Sequence, residues 1–347
     1  MGAAGGKAAQ AFRVSRARMG SRNAPAGPSP FAVEAAPLSR EKFSDPQLTA
    51  KGEKRAHVPF SRLDTLWLNT GTLCNLACTT CYIESSPTND ALVYLTASDA
   101  VRFLDEAAGL GAREIGFTGG EPFMNPDIVR MMDGALDRGF EALVLTNAMK
   151  PMRRHEAALL RLREAYGDRL TLRVSLDHHS QRVHEAERGL RSWQPAIEGL
   201  CWLSRNGFSI AVAGRLLPEE GDARARERYA ALFEREGIAI DAYDRSRLVL
   251  FPEMDAEKDI AEITTECWTI LGKSPADVMC SNSRMIVHRK GEASPRVVAC
   301  TLIPYDEGFD LGETLEEASC DIVLNHPHCA RFCVLGGASC SGGAQEG

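Results

Sequence analysis

Residues 68–84, LNTGTLCNLACTTCYIE, decide the fold prediction because three cysteines follow directly after an apolar, strand-like run. Cys74, Cys78 and Cys81 are spaced C-x3-C-x2-C, and the same loop contains no fourth cysteine. A four-iron cluster is normally held by four thiolates, so a loop that supplies three leaves one iron open. A zinc knuckle is the weaker alternative, because structural zinc takes a closed set of four ligands. The spacing therefore predicts an iron-sulfur cluster with one open coordination position.

The chain around this loop alternates apolar, β-branched runs with longer amphipathic segments, which indicates βα units and a parallel sheet. Such units curl into a barrel whose chemistry lies at the C-terminal ends of the strands. The predicted fold class is therefore α/β, a partial (β/α)6 TIM-like barrel of parallel strands plus a small C-terminal cysteine-rich, metal-bound module. The predicted strands are 64–69, 113–117, 140–146, 170–176, 208–214 and about 245–251, and the predicted helices are 97–110, 126–138, 152–165, 193–206 and 222–236.

The 347 residues divide into three predicted regions. Residues 1–60 form an N-terminal extension that we expect to be disordered, because its first 33 residues are rich in Ala, Gly, Pro, Ser and Arg and contain no acidic residue. An organelle transit peptide is the weaker alternative for this leader. Residues 61–255 form the barrel. Residues 256–347 are dominated by Cys, Gly and Pro, so this module needs a metal to supplement a small apolar core.

Amino-acid composition limits the classes of partner and the cellular location that we expect for the protein. The net charge of −7 and the charged fraction of 25% provide no basic surface for a nucleic-acid backbone. No apolar run approaches the roughly 18 residues of a membrane-spanning helix, and the N-terminus lacks the apolar stretch of a secretory signal. Eleven cysteines in such a chain indicate metal or redox chemistry rather than disulfides. We therefore expect a cytoplasmic protein without nucleic-acid or membrane partners.

A second motif, FTGGEPFMNPD at residues 117–127, follows the second predicted strand. A C-x3-C-x2-C loop after strand one and a GGEP segment after strand two resemble the radical S-adenosylmethionine (SAM) superfamily, over residues 63 to about 250. The resemblance implies that SAM binds the open iron and is cleaved reductively to a 5'-deoxyadenosyl radical, which abstracts hydrogen from an unactivated C–H bond. It also implies an electron donor such as flavodoxin or ferredoxin.

The same resemblance assigns side chains to SAM. The GGEP segment would bind the amino group, and Arg188 would pair with the carboxylate in the bidentate manner that a guanidinium favours. For the Thr-Asn pair of strand three, a helix cap is an equal alternative. The family usually has an aromatic residue where this chain has Thr80, so Tyr82 is the aromatic candidate to cover the adenine. The predicted SAM-binding residues are Gly119, Gly120, Glu121, Pro122, Thr146, Asn147, Ser175, Arg188 and Arg215.

Three histidines follow the fourth strand, at positions 178, 179 and 184. Clustered histidines can bind metal or transfer protons. Ordinary packing is the favoured interpretation here, although His178 could face the substrate. The sequence does not identify the catalytic acid or base, for which the weak candidates are Asp177, Arg215 and Asp241.

The C-terminal cysteines indicate a second metal centre. Cys280 and Cys300 flank a predicted hairpin with Gly291 at its turn, and three more cysteines follow. This arrangement resembles the twitch and SPASM extensions that hold auxiliary iron-sulfur clusters. Structural zinc is the alternative, because four thiolates suit either metal. We expect one auxiliary 4Fe-4S cluster with four ligands drawn from Cys280, Cys300, Cys329, Cys333 and Cys340.

Three functions compete at this level. The favoured one is an oxidoreductase or related radical enzyme that abstracts hydrogen from a small molecule, assisted by the auxiliary cluster. The alternative is a maturase that modifies a ribosomally made peptide or a protein side chain. The third is an iron-sulfur or zinc protein with a structural or sensing role and no turnover, which the GGEP and strand-four motifs disfavour.

Overall fold

The computed structural model describes residue 25 and residues 27–338. In this part of the chain, no helix is both long and apolar enough to cross a membrane. The strands are β1 (His57–Val58), β2 (Thr65–Asn69), β3 (Glu114–Thr118), β4 (Glu141–Thr146), β5 (Leu170–Ser175), β6 (Ser209–Arg215), β7 (Leu248–Phe251), β8 (Ser283–Val287), β9 (Arg296–Val298), β10 (Asp310–Gly312) and β11 (Ile322–Val323). The helices are α1 (Ala97–Gly109), α2 (Ile128–Asp137), α3 (Lys150–Arg153), α4 (Glu156–Tyr166), α5 (Gln181–Arg188), α6 (Trp193–Arg205), α7 (Asp222–Glu236) and α8 (Cys267–Leu271), and a π-helical segment covers Cys329–Leu335.

A nine-stranded sheet in the order β10-β9-β8-β2-β3-β4-β5-β6-β7 forms the centre of the protein. From β2 to β7, each strand is parallel to the next strand of the chain. Parallel neighbours require crossover connections, and α1 to α7 lie in these connections. The edge strands β10 and β7 do not pair with each other, so the sheet stays open. The prediction of an α/β fold with a mostly parallel sheet is confirmed.

Helix α1 illustrates how local sequence determines an element. Thr96 precedes the helix, and its hydroxyl accepts a hydrogen bond from the Asp99 amide while the Asp99 carboxylate accepts one from the Thr96 amide. This reciprocal cap satisfies two amides that the first turn leaves without partners. Phe103 and Leu104 lie on the buried face, and burial of Phe103 contributes roughly 2 kcal/mol.

The N-terminal segment is more ordered than the sequence predicted. For residues 27–60 the prediction of disorder is wrong, because Phe31 is only 1% exposed and Val58 is completely buried. Strand β1 pairs with β11, more than 260 residues later in the chain. The apolar residues of this segment are too widely spaced to show a period, yet they pack against distant parts of the chain. Residues 1–24 lie outside the described part of the protein.

Helix α5 was missing from the prediction. Its sequence, QRVHEAER, contains one large aliphatic residue, Val183, so the amphipathic pattern is weak. The buried face instead includes His184 and Glu187. This helix matters for function because it brings Glu187 and Arg188 to the C-terminal end of the sheet.

The C-terminal region shares the central sheet instead of forming a separate module. The predicted hairpin is present, with Ile286 opposite Val297 in the antiparallel β8–β9 pair and Gly291 at φ 90° in the turn. Strand β8, however, also pairs in parallel with β2. A short apolar run such as SRMIV does not reveal which strand it will pair with, so the sequence suggested a boundary where the structure has a continuous sheet.

Candidate functional site

A cavity of about 1130 Å³, counted with its open mouth, lies among the loops that follow β2 to β6. Glu121 and Pro122 are buried next to this cavity without lining it. The carboxyl ends of neighbouring parallel strands lie at one edge of a sheet, which explains why separate motifs meet there. The predicted residues that line the cavity together are Cys74, Cys78, Cys81, Gly119, Gly120, Thr146, Asn147, Ser175, Arg188 and Arg215.

The cysteine loop places three thiols in the cavity wall. Burial raises the pKa of Cys74 to about 12, and burial also raises the pKa of Cys78 and of Cys81. Metal ligation requires the thiolate, so a bound cation must displace these protons. The loop itself is fixed by its backbone, since the Cys74 amide donates to the Ser86 carbonyl at 3.0 Å. Cys74 is buried and Cys78 and Cys81 are half-buried, so the loop brings three thiols together as potential metal ligands.

The two glycines of the GGEP segment allow close approach of the cysteine loop. The Gly120 amide donates to the Gly71 carbonyl at 2.8 Å, and the Glu121 amide donates to the Leu73 carbonyl at 3.1 Å. A Cβ atom at position 120 would lie 2.3 Å from the Leu73 carbonyl oxygen. Gly119 has φ 134°, in the region that favours glycine. These glycines therefore join two loops of the protein as well as bordering the cavity.

Glu121 connects the loops after β3 and β4. Its carboxylate accepts hydrogen bonds from the Thr146 hydroxyl and the Asn147 amide, both at 2.8 Å, and from the Phe123 amide at 3.2 Å. Burial raises the pKa of Glu121 to about 7, although these hydrogen bonds act in the opposite direction. In this structure the carboxylate faces protein donors, whereas the resemblance assigned it to the SAM amino group.

Thr146 and Asn147 mainly organise their own turn. The Thr146 hydroxyl accepts from the Ala148 amide at 3.0 Å, and the Asn147 side-chain oxygen accepts from the Met149 amide at 3.1 Å. The Asn147 side-chain amide also donates to the Asn75 side chain at 2.9 Å, which connects this turn to the cysteine loop. These bonds stabilise the turn before α3, which has no side-chain cap of its own, and both residues also line the cavity.

Arg188 is held by Asp177, which was only a weak candidate for the catalytic acid or base in the sequence-based prediction. The Arg188 Nε and Nη2 donate to the two Asp177 carboxylate oxygens at 2.7 and 3.0 Å, the bidentate geometry expected of a guanidinium. Burial by itself would raise the pKa of Asp177, but the Arg188 charge and hydrogen bonds outweigh it and lower that pKa. The buried pair therefore places a fixed cation in the cavity wall.

A buried network holds the cysteine loop from the other side. The Thr80 hydroxyl, located between two of the cysteines, donates to a Glu187 carboxylate oxygen at 2.6 Å and accepts from Arg215 Nη1 at 2.6 Å. Arg215 Nη2 donates to Glu253 at 2.6 Å. Thr80 occupies the place of the family's usual aromatic residue, and it links Glu187 to Arg215. Arg215 is accordingly engaged by protein partners in the cavity wall.

The N-terminal segment completes this network. The Ser29 hydroxyl donates to Glu187 at 2.7 Å, and the Arg215 guanidinium lies 4.3 Å from the centre of the Phe31 ring. A guanidinium over an aromatic face is attracted by the ring quadrupole. Residues predicted to be disordered thus contact the side chains that hold the cysteine loop. Nothing in the local sequence indicated this long-range contact.

We expect a Thr80→Val variant to lose its iron at the cysteine loop more readily than the wild-type protein. Valine keeps the volume but removes hydrogen bonds to two charged groups, each worth about 1.5–3 kcal/mol. The measurement is the rate of iron release to a chelator under anaerobic conditions. Thr88→Val is the matched control, because Thr88 is exposed in the same loop. Equal release rates for both variants would contradict the role of the network.

The histidines after β5 form a separate hydrogen-bonded group. His178 Nε2 and His179 Nε2 lie 3.2 and 3.0 Å from the two carboxylate oxygens of Glu220. The Ser180 amide donates to His178 Nδ1 at 3.0 Å, so the proton of a neutral His178 is on Nε2, facing Glu220. His178 does not line the cavity, and His184 packs edge-on against Trp193. His179 and Asp241 also lie outside the cavity wall, and the two ring nitrogens of the buried His184 have no hydrogen-bond partner in the described part of the chain.

The C-terminal cysteines line a second, apolar pocket of about 370 Å³. Cys280, Cys300, Cys329 and Cys333 border it together, whereas Cys340 lies outside the described residues. Burial raises the pKa of Cys280 to about 12 and also raises the pKa of Cys329. The structure thus brings together four of the five cysteines that the sequence nominated.

The far wall of the main cavity was not predicted. Apolar side chains from after β7 and from the C-terminal region form it, and a buried arginine of β5, Arg173, borders it. No motif marks these positions, because aromatic and aliphatic residues are common in any core. The apolar residues of this wall are Phe251, Met254, Leu302 and Phe332.

Comparison with known proteins agrees with this site. Residues 68–230 match the Radical SAM superfamily. The antilisterial bacteriocin subtilosin biosynthesis protein AlbA of Bacillus subtilis (strain 168) is 28% identical over 192 residues, which cover 53% of this chain and 41% of AlbA. GTP 3',8-cyclase of Rhodococcus opacus (strain B4) is 34% identical over 152 residues, which cover 42% of this chain and 41% of the cyclase. The chain thus matches about two fifths of the length of each relative.

The fold is also shared with a solved structure. Streptococcus suis SuiB bound to S-adenosylmethionine superposes with a TM-score of 0.53 at 15% identity, covering 73% of this chain and 63% of SuiB. The matched segment of the present chain contains the cysteine loop, the GGEP segment and the residues of α5 that border the cavity. Residues 68–230, which hold these segments, are thus similar to the radical SAM superfamily.

Proposed function

We propose that the protein is a radical SAM enzyme that abstracts hydrogen from a side chain of a peptide or protein. The observation that carries this proposal is the single cavity that borders three thiols, a fixed arginine and an apolar far wall. Cys74, Cys78 and Cys81 would hold a 4Fe-4S cluster with one open iron. When bound, the cluster and SAM supply a 5'-deoxyadenosyl radical.

The residues present fit these cofactors. Burial raises the pKa of all three thiols, and bonding to the irons of a cluster would stabilise their thiolate forms. Arg188 Nε and Nη2 are occupied by Asp177, and Nη1 makes no hydrogen bond within the described part of the chain. We assign Nη1 to the SAM carboxylate. Tyr82, which lines the cavity, is assigned to the adenine ring.

The far wall suggests how the chain protects the reaction. Phe251, Leu302 and Phe332 cover the cavity opposite the cysteine loop with apolar surface. A reactive radical requires exclusion of water and of competing hydrogen donors, which such a wall provides. The substrate side chain would enter between this wall and the SAM-binding loops. A flavodoxin or ferredoxin in the cytoplasm is the proposed source of electrons.

For the substrate, the comparisons favour a different class of molecule from the one that the sequence favoured. The sequence favoured a small molecule, whereas the similarity to AlbA, a bacteriocin biosynthesis protein, favours a peptide. The AlbA match also covers more of this chain than the cyclase match does, 53% against 42%. A small molecule is the second candidate, because the similarity to GTP 3',8-cyclase has the higher identity, 34%.

We further propose that Cys280, Cys300, Cys329 and Cys333 hold an auxiliary 4Fe-4S cluster. The thiol spacing supports iron over zinc. Tetrahedral zinc with bonds of about 2.3 Å draws its sulfur ligands to within about 3.8 Å of one another. Within the described residues, three potential ligand atoms approach within 4.8 Å of one another only at the His178, His179 and Glu220 group. A four-iron cluster spreads its thiolates more widely than a single ion does.

The test is anaerobic reconstitution with iron and sulfide, reduction, and incubation with SAM. We expect about seven to eight irons per chain if both centres are four-iron clusters. Formation of 5'-deoxyadenosine is the readout for catalysis. Addition of the correct peptide, identified from precursor genes near the gene for this protein, should increase that rate. SAM that stays intact under these conditions would contradict the proposed function and favour a structural or sensing role.

A further inference from the structure

Arg284 is among the largest completely buried side chains of the protein, with an exposure of 1%. It lies on β8, two strands away from the GGEP strand and next to the second cysteine pocket. Its guanidinium donates to the carbonyl oxygens of Ala318 and Cys320, each at 2.8 Å, and to those of Cys280 and Ser283 at 2.7 and 2.6 Å. Neutral acceptors therefore hold this cation.

Three other arginines with little exposed side chain have carboxylate partners. Arg55 pairs with Glu262, Arg188 with Asp177, and Arg215 with Glu187. For Arg284, no carboxylate oxygen lies within ion-pair distance among the residues that the structure describes. A buried charge without a counter-charge carries a large desolvation cost that carbonyl dipoles offset only in part.

The nearest groups that can become negative are cysteines. Interactions with thiolates at Cys280, Cys300 and Cys320 would favour the charged form of the Arg284 guanidinium, against the effect of its burial. Cys280 and Cys300 border the apolar pocket together with Cys329 and Cys333. Four thiolates around an iron-sulfur core leave a net negative charge, and that charge together with nearby hydrogen bonding sets the reduction potential.

We propose that Arg284 is the buried counter-charge of the metal centre at Cys280, Cys300, Cys329 and Cys333, and that it raises the reduction potential of that centre. This inference rests on the auxiliary cluster of the proposed function. Reduction adds an electron to an already anionic centre, so a fixed cation beside it favours the reduced form. Arg284 is thus a positioning residue that acts through the cluster, whereas Arg55, Arg188 and Arg215 are balanced by carboxylates.

The experiment uses the full chain with Cys74, Cys78 and Cys81 changed to Ala, so that the second centre is the remaining site for iron. Its midpoint potential is measured by redox titration followed by electron paramagnetic resonance. Arg284→Met should shift the potential to a more negative value, while Arg284→Lys, which keeps the charge, should stay near the parent. Arg289→Met is the matched control, because Arg289 lies beyond the end of β8 and pairs with Asp310 at 2.6 Å.

A second readout does not depend on the potential. The rise in melting temperature on iron loading should be smaller for Arg284→Met than for the parent, because the metal-free parent contains an uncompensated cation that the variant lacks. A purely structural arginine would lower both melting temperatures equally. If the parent and Arg284→Met have equal midpoint potentials and equal rises in melting temperature on iron loading, the role of Arg284 is wrong. The auxiliary cluster itself would still stand.

Failure of the auxiliary cluster itself is distinguishable. If the variant without the first three cysteines binds no iron, or binds zinc in its place, the auxiliary cluster and the role of Arg284 are both wrong. SAM cleavage by the wild-type chain would still support the first centre. The iron content and the titration thus separate the two proposals.

Discussion

Replacing Cys74, Cys78 and Cys81 together with alanine is expected to abolish the formation of 5'-deoxyadenosine from SAM. The three thiols line one cavity and supply the protein ligands of the proposed cluster, so their loss removes the electron source and the iron to which SAM binds. Iron content should fall by about half, because the second cysteine pocket is unchanged. The measurements are iron and sulfide analysis and chromatography of the SAM reaction.

The matched control for this variant is Cys201→Ala. Cys201 is buried on α6, and its thiol donates to the Glu236 carbonyl at 3.5 Å, far in sequence from both cysteine groups. Its replacement removes a small core side chain and should leave iron content and SAM cleavage close to wild type. If the triple variant keeps all of its iron, the cysteine loop is not a cluster site.

Gly120→Ala is expected to reduce SAM cleavage by about 100-fold, because a catalytic loop displaced by about 1 Å loses activity on that scale. The added methyl group would lie 2.3 Å from the Leu73 carbonyl oxygen and 2.8 Å from that of Thr72. Backbone atoms cannot rotate away as a flexible side chain can, so the cysteine loop must shift. Overpacking of this kind also costs typically 1–3 kcal/mol in stability. Chemical unfolding of the metal-free protein and the SAM cleavage assay measure the two effects.

Gly134→Ala tests whether the effect is specific. Gly134 lies in α2, and a Cβ atom there would have its nearest contact at 3.6 Å, an ordinary van der Waals distance. Alanine favours a helix more than glycine does, so this control should be neutral or slightly stabilising. A Gly120→Ala variant that matches Gly134→Ala in SAM cleavage would show that the contact between the two loops does not position the cysteines.

The sequence identified the parts of the site that depend on local pattern. The runs that became β2 to β6 are short and apolar, and the polar segments follow them at the same end of each strand. Because parallel strands place those ends at one edge, residues as far apart as Cys74 and Arg215 were correctly expected in one place. Identification of α5 failed because its buried face carries His184 and Glu187 in place of a clear apolar stripe.

The roles of several site residues depended on contacts that the sequence does not display. Glu121 was assigned to a ligand, yet three protein donors surround its carboxylate. Arg215 was assigned to SAM, yet Thr80, Glu187 and Glu253 engage its guanidinium. The partner of a long polar side chain depends on which groups lie near it in space. A position beside the cavity therefore does not establish whether that partner is a ligand or another protein group.

By itself, the sequence determined the runs that became β2 to β6, the cysteine loop and most of the segments that meet at the cavity, because each follows from a short-range period or spacing. Tertiary structure alone decided that Ser29 and Phe31 reinforce the network around Thr80, that β8 extends the sheet beside β2, and that Arg284 lies buried beside Cys280 and Cys320. The Ser29–Glu187 hydrogen bond spans 158 positions of the chain, and the pairing of β2 with β8 joins residues more than 200 positions apart. Their energies come from burial and charge pairing, which depend on distance in space and leave no period in the sequence.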